Sequence, residues 1–316
     1  MTARLTRRPS ARRRLGTAGA IAVTGALLLA GCGDQTDDAS EGGDSVKPEK
    51  SGNSAPLFGE LPKEIQEAGV INVGSDIAYP PIEFFEGEEI TGIDPGLAKA
   101  MSEQLGVELK FQDAAFDQLV IGLNSDRYDM VMSAMTDTKE RQEGQSEDAE
   151  GGADFVNYFK AGSAILVEKG NPEGITSLDD LCGLTVAAQR GTANEALLKE
   201  QNDTCGDDKI EPFIADKDTD SITQLQTGRV QAVITDFPVA IYNEKTAGGG
   251  DRFEVVGDQI DAAPYGIAVS KDDTKLRDAL QKAVQAIIDN GEYAKVLKEW
   301  NAEAGAIEEA TVNAGK

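Results

Sequence analysis

The sequence predicts an α/β fold built on a largely parallel sheet. Three observations carry that prediction. Short, β-branched apolar runs alternate with amphipathic segments of helical period. The alternation occurs twice, the two series being separated by an acidic, glycine-bearing stretch at 142–154. Helical segments close on Gly106 or on Asn290-Gly291, as helix ends do.

In the first series, Val70-Ile71-Asn72-Val73-Gly74 reads as a buried strand. Asp94-Pro95 opens a helix, with Asp94 expected as N-cap and the proline in the first turn. Leu97, Met101 and Leu105 recur every four residues along it. Val107 to Phe111 is the next strand, Phe116 to Leu123 a helix with Leu119, Val120 and Leu123 on one face, and Tyr128 to Met132 a further strand. Residues 142–154 carry Glu143, Glu147, Asp148, Glu150, Asp154 and three glycines. They are expected to form a solvated inserted loop without chemistry.

The second series has strands at Ala164 to Val167, Leu184 to Ala188 and Gln231 to Ile234. Helices fit Asn194 to Glu200, Ser221 to Gln226 and Pro238 to Asn243. Gly266 to Val269 is one more strand; Leu276, Leu280, Val284, Ile287 and Ile288 mark the longest helix. A last amphipathic helix carries Tyr293, Val296, Leu297 and Trp300, and the Ala/Glu/Gly-rich tail after Asn301 is expected to fray. Asp216, Asp218 and Asp220 alternate like the start of a calcium loop. The sixth position is Ser221 instead of Gly and the twelfth is Thr227 instead of Glu, so a solvated turn and helix N-cap is expected there.

Composition narrows the chemistry. The 316 residues include 30 Lys+Arg, 56 Asp+Glu and no His, a net charge of −26. Without His there is no Ser-His-Asp triad, no Cys-His pair and no His-ligated metal. Three Cys are too few for a four-thiolate zinc site. The acidic balance argues against nucleic acid, which needs a basic footprint. Neither phosphate-cradling glycine motif is present, and no cofactor or metal is expected.

Residues 1–31 hold six Arg and no acid, followed by an uncharged Ala/Leu/Gly-rich run from Leu15 to Ala30. This is the pattern of a bacterial export signal; the alternative, a membrane-spanning anchor, needs about 20 apolar residues. The run ends in Leu29-Ala30-Gly31-Cys32, which resembles the lipobox of bacterial lipoproteins, where the cysteine is lipidated. Arg12-Arg13-Arg14-Leu15 leaves open which export route is used. Residues 32–59 are polar and expected to be a disordered tether with a reach of about 25–30 Å. In an exported chain, Cys182 and Cys205 are expected to form a disulfide contributing roughly 3 kcal/mol, the alternative being two buried thiols.

Gly74-Ser75-Asp76-Ile77-Ala78-Tyr79-Pro80-Pro81, followed by Thr91-Gly92-Ile93-Asp94-Pro95-Gly96-Leu97-Ala98-Lys99-Ala100, resembles family 3 extracytoplasmic solute-binding proteins, the amino-acid receptors of ABC importers. The resemblance covers about residues 65–302. It departs at Gly96, where the family usually has an acid. It implies a two-lobed, type II periplasmic-binding-protein fold, two parallel-sheet lobes joined by a two-strand hinge. The expected division is 60–160 plus 260–316 for lobe 1 and 162–259 for lobe 2.

The same resemblance implies site residues. Arg141, in the segment Ser133 to Arg141, matches the arginine whose planar fork grips the ligand α-carboxylate. Thr136 matches a second donor to that group, and Ser133 and Ala134 line the site. Thr192, Ala193 and neighbouring amides at a helix N-terminus complete the carboxylate pocket. Asp236 matches the acid for the α-ammonium, and Tyr79 and Phe116 the flat side chains enclosing the ligand. Asp76, Gln189 and Asn194 fall near the ligand side chain; Arg190, if turned inward, would favour an acidic ligand instead. Read this way, the chain is an extracytoplasmic, lipid-anchored monomer without enzymatic activity. It captures a polar amino acid, of charge left open, and delivers it to a permease with its ATPase. The rival readings are a dehydratase-type enzyme on the same fold and a ligand sensor for a membrane receptor.

Overall fold

The computed structural model describes residues 54–316. The export segment, Cys32 and the tether up to residue 53 lie outside the described residues. Chain order begins with α1 (Lys63–Ala68), β1 (Val70–Ser75), the small strands β2 (Ala78–Tyr79), β3 (Glu83–Glu86) and β4 (Glu89–Thr91), α2 (Ile93–Leu105) and β5 (Glu108–Asp113). Then come α3 (Leu119–Asn124), β6 (Met130–Val131), α4 (Lys139–Glu143) and the long β7 (Asp154–Glu168). β8 (Thr185–Gln189), α5 (Ala193–Thr204), β9 (Glu211–Ala215), α6 (Asp218–Gln226), β10 (Ala232–Asp236) and α7 (Phe237–Thr246) follow. The long β11 (Phe253–Val269), α8 (Thr274–Asp289) and α9 (Glu292–Glu299) complete the regular elements.

The main sheet has the order β5-β1-β6-β11-β7-β10-β8-β9, and β2-β3-β4 form a separate small sheet. β5-β1-β6 and β10-β8-β9 are parallel trios, one in each lobe. Between them β7 and β11 run antiparallel, each crossing from one lobe to the other. Their register shifts between Val256 and Ile260 and again between Ile260 and Ala263. Such irregularities bend a paired strand. Gly162 lies in that bend, where a Cβ would stand 2.1 Å from the Ile260 carbonyl oxygen.

Side-chain alternation explains the layering. In the second lobe Ile165, Val167, Val186, Ala188, Ala232 and Ile234 face one apolar layer. Ala164, Leu166, Ala187 and Val233 face the other, against α6 and α7. In the first lobe Met130, Met132, Ile267 and Val269 face α2, α8 and α9, while Val131 and Ala268 face α3. Cys182 and Cys205 are joined in a disulfide with Cα atoms 5.4 Å apart.

Four expectations are corrected. Asp94 is no N-cap: Gly92 is, and the fully buried Asp94 carboxylate accepts from Tyr158 Oη at 2.9 Å and the Ala134 amide at 3.2 Å. In the same helix Gly96 packs against α9, with Val296 Cγ1 2.9 Å from where a Cβ would stand. Residues 142–154 are not a solvated loop: Gln142, Asp148, Ala149, Ala153 and Asp154 are buried. The tail does not fray. Its backbone pairs with β7 through Asn157 N to Thr311 O (2.8 Å) and Asn313 N to Phe155 O (2.9 Å), and Ala310 is buried. Finally, Asp218 is buried in the first turn of α6, where Lys217 is the N-cap, instead of sitting in a solvated turn.

Candidate ligand-binding site

The parallel strands of both lobes point their C-terminal ends at one another, the place where open α/β sheets carry their sites. From lobe 1, β1 leads to Asp76 and Tyr79, the turn after β5 presents Phe116, and β6 leads to Ser133, Ala134 and Thr136. From lobe 2, β8 ends at Gln189 and the next turn carries Thr192, Ala193 and Asn194; β10 ends at Asp236. These eleven positions, with Glu83, line one narrow cavity of ≈ 10 Å³; Arg141 is the one expected site residue that does not line it. Arg141 lines an adjoining, wider cavity of ≈ 420 Å³ that shares Thr136, Thr192, Ala193 and Asp236 with the first. Arg190 lines neither cavity; it is half-exposed and paired with Asp216 at 3.2 Å.

The lobes meet through polar contacts. Gln189 Nε2 donates to Asp76 Oδ2. Tyr79 Oη lies 3.2 Å from Thr235 Oγ1 and accepts from the Asp236 amide at 3.2 Å. Asp236 is held on both oxygens, by Asn194 Nδ2 at 2.8 Å and Tyr265 Oη at 2.6 Å. The Thr192 hydroxyl caps α5, accepting from Glu195 N at 3.1 Å and donating to Gln189 O at 2.7 Å.

Arg141 is 3 % exposed. Its Nε donates to Asp148 Oδ2 at 2.7 Å, its Nη1 to Thr136 O at 2.8 Å and its Nη2 to Gly191 O at 2.8 Å, the last across the lobes. The guanidinium carbon stands 5.5 Å from the Phe116 ring centroid, within cation–π range.

Acids dominate the narrow cavity. Burial pushes the Asp76 carboxyl up to about 6, against the opposing Gln189 hydrogen bond. Burial likewise raises Asp236, with Tyr265 and Asn194 opposing. Glu83 is driven well above the carboxylate range by burial and by Asp94 beside it, and burial lifts Asp94 to about 7. Two carboxyls buried side by side disfavour each other's ionisation. Ser133 Oγ donates to Glu83 Oε1 at 2.6 Å and accepts from the Asp76 amide at 3.0 Å, tying the two acids to one hydroxyl. Asp76 Oδ1 is buried without a partner. No Lys or Arg lines this cavity.

Sequence reasoning missed Glu83, Asp94, Tyr265 and Asp148. Glu83 left a trace, as a lone acid between Ile82 and Phe84 just after Tyr79. Asp148 left none, since it sits among other acids in a glycine-bearing stretch. Among the described residues no cluster of His, Cys, Asp and Glu is arranged to hold a metal ion, and no helix is long and apolar enough to cross a membrane.

Residues 71–303 match the bacterial extracellular solute-binding proteins, family 3. The chain belongs to that family. Among family 3 relatives, an arginine-binding protein of Corynebacterium glutamicum is 30% identical over 80% of this chain and 81% of its own. ABC transporter arginine-binding protein 1 of Escherichia coli is 30% identical over 73% of this chain and 90% of its own. A solved structure of an ancestral arginine-binding protein bound to arginine superposes with TM-score 0.66 and 33% identity, covering 73% of this chain and 98% of that one. The fold is therefore the type II amino-acid-binding architecture.

Proposed function

We propose that this family 3 protein is the extracytoplasmic receptor of an ABC importer and that its ligand is a free basic amino acid, with arginine the leading candidate. The observation that carries this reading is the charge of the narrow cavity. Asp76, Glu83 and Asp236 line it, no cation does, and Asp76 keeps one buried oxygen unpartnered. A buried anion needs a cationic partner. A guanidinium or ammonium group against Asp76 supplies it, while an acidic side chain would bring a second charge against Asp76 and Asp236. The relatives whose names specify arginine support the same choice.

In this reading Asp236 takes the α-ammonium. Arg141, Thr136, Thr192 and the Ala193 turn take the α-carboxylate, and Tyr79 and Phe116 enclose the stem. Ser133, Ala134, Gln189 and Asn194 complete the wall. The lobes are 60–160 plus 260–316 and 162–259, and they close on the ligand about the β7–β11 crossing. Lipidation at Cys32 would hold the monomer close to the permease, and the ligand leaves chemically unchanged.

Titration calorimetry at neutral pH with arginine, lysine, citrulline and glutamate tests the assignment. Arginine should bind at least tenfold more tightly than citrulline, its neutral isostere, and Asp76→Asn should erase most of that difference. Equal affinity for citrulline, or a preference for glutamate, would sink it.

A further inference from the structure

Arg141 is the one cation on the cavity walls that the α-carboxylate reading uses, and its geometry is set by a part of the chain to which the family resemblance gives no role. The acidic stretch between α4 and β7 folds back as a short 3-10 turn, Glu147–Ala149. That turn is firmly anchored. Ala149 is fully buried in the apolar layer beside α3. Asn124 Nδ2 on α3 donates to Glu150 O at 2.8 Å and Gly152 O at 3.1 Å. Gly144 and Gly152, both at φ +74°, face each other so closely that a Cβ on Gly152 would stand 2.5 Å from Gln142 O. The Ala153 amide donates to Arg141 O at 3.3 Å, so the stretch clasps the backbone of the arginine as well as its side chain.

From this support Asp148 reaches the guanidinium at 2.7 Å, both side chains being buried (4% and 10% exposed). A guanidinium has five N–H groups. Asp148 takes the Nε–H, and Thr136 O and Gly191 O take one each from Nη1 and Nη2. Two N–H groups remain, one on each terminal nitrogen. We propose that Asp148 is a positioning residue for ligand recognition: it pins the guanidinium beside the Phe116 ring, with its terminal nitrogens presented to the α-carboxylate. This rests on the reading that Arg141 meets that carboxylate. A long four-torsion side chain held only by two neutral carbonyls would lose more rotamer freedom on binding.

The test compares arginine with argininamide, which lacks the carboxylate, on the full chain and two variants. Asp148→Ala should weaken arginine at least tenfold and argininamide by less than twofold. Asp148→Asn keeps an oxygen for the Nε–H and should stay within threefold of wild type for both ligands. Unchanged arginine affinity in Asp148→Ala, an equal loss for both ligands, or tightening in both variants would each overturn the proposal. A ligand-free arm separates this from the functional reading. In ¹⁵N spectra the Arg141 Nε–H should exchange slowly in wild type and Asp148→Asn and rapidly in Asp148→Ala. Equal exchange in all three would refute the contact itself. If wild type binds a different amino acid, that amino acid and its amide replace the pair, and the basic-ligand reading alone falls.

Discussion

Arg141 and Asp148 form a buried ion pair whose members depend on each other. A charge left without its partner in a dry site costs far more than the intact pair contributes. Arg141→Ala strands the Asp148 carboxylate and should lower unfolding stability by about 3–5 kcal/mol. The Arg141→Ala, Asp148→Ala double variant should recover a large part of that loss, because no unpaired charge remains. Urea unfolding of the four proteins in the cycle measures it. If the double variant is as unstable as the sum of the single ones, the pair is not coupled. Loss of binding by Arg141→Ala should therefore be read together with its stability.

At the scale of elements, local pattern and tertiary contact divide what the sequence could reveal. The first-lobe strands β1 and β5, helix α2 and the apolar stripes of α8 and α9 were legible because burial follows their period: Leu276, Leu280, Val284 and Ile287 are all buried on α8. β7 and β11 were read only as four-residue runs, since Gly162 and the polar stretch Gly257-Asp258-Gln259 interrupt their patterns. Most candidate site residues became visible through motif resemblance, which fixes positions at strand ends but not their partners. Asp148 and the tail were illegible for one reason: no apolar period announces their order, which comes from contacts that form only in the fold. Asn157 shows this for the tail. Its Oδ1 accepts from Thr311 Oγ1 at 3.0 Å and the Ala314 amide at 3.2 Å, and its Nδ2 donates to the buried Asp137 at 2.9 Å. Asp137 in turn accepts from the Gly315 amide at 2.8 Å. Asn157→Ala leaves buried groups unpaired and should cost about 1–3 kcal/mol. It should also speed amide exchange at Ala314 and Gly315. Unchanged exchange there would mean the tail is held by other contacts.

At the scale of the whole molecule, the acids gathered at the lobe junction give stability and binding opposite responses to pH. Burial raises Asp76 to about 6 and Asp94 and Asp218 to about 7, from an ordinary value of 3.8. Folded values above unfolded ones mean that the folded state holds these protons more tightly. Their stabilising contribution is complete below the unfolded value and is lost as pH rises through 6 to 7. The melting temperature of the ligand-free protein should therefore rise as pH is lowered from 8 to 5.5. Relief of repulsion among surface acids acts in the same direction, but salt screens it; the slope from buried groups should persist in 0.5 M salt. A cationic ligand demands the reverse. It needs Asp76 ionised, so below about pH 6 binding must first displace a proton, and affinity for arginine should fall as stability climbs. Scanning calorimetry and titration calorimetry at half-unit steps across this window give both slopes, and Asp76→Asn should flatten the second much more than the first. Affinity that rises with acidity would show that the cavity does not use an ionised Asp76 to hold its ligand.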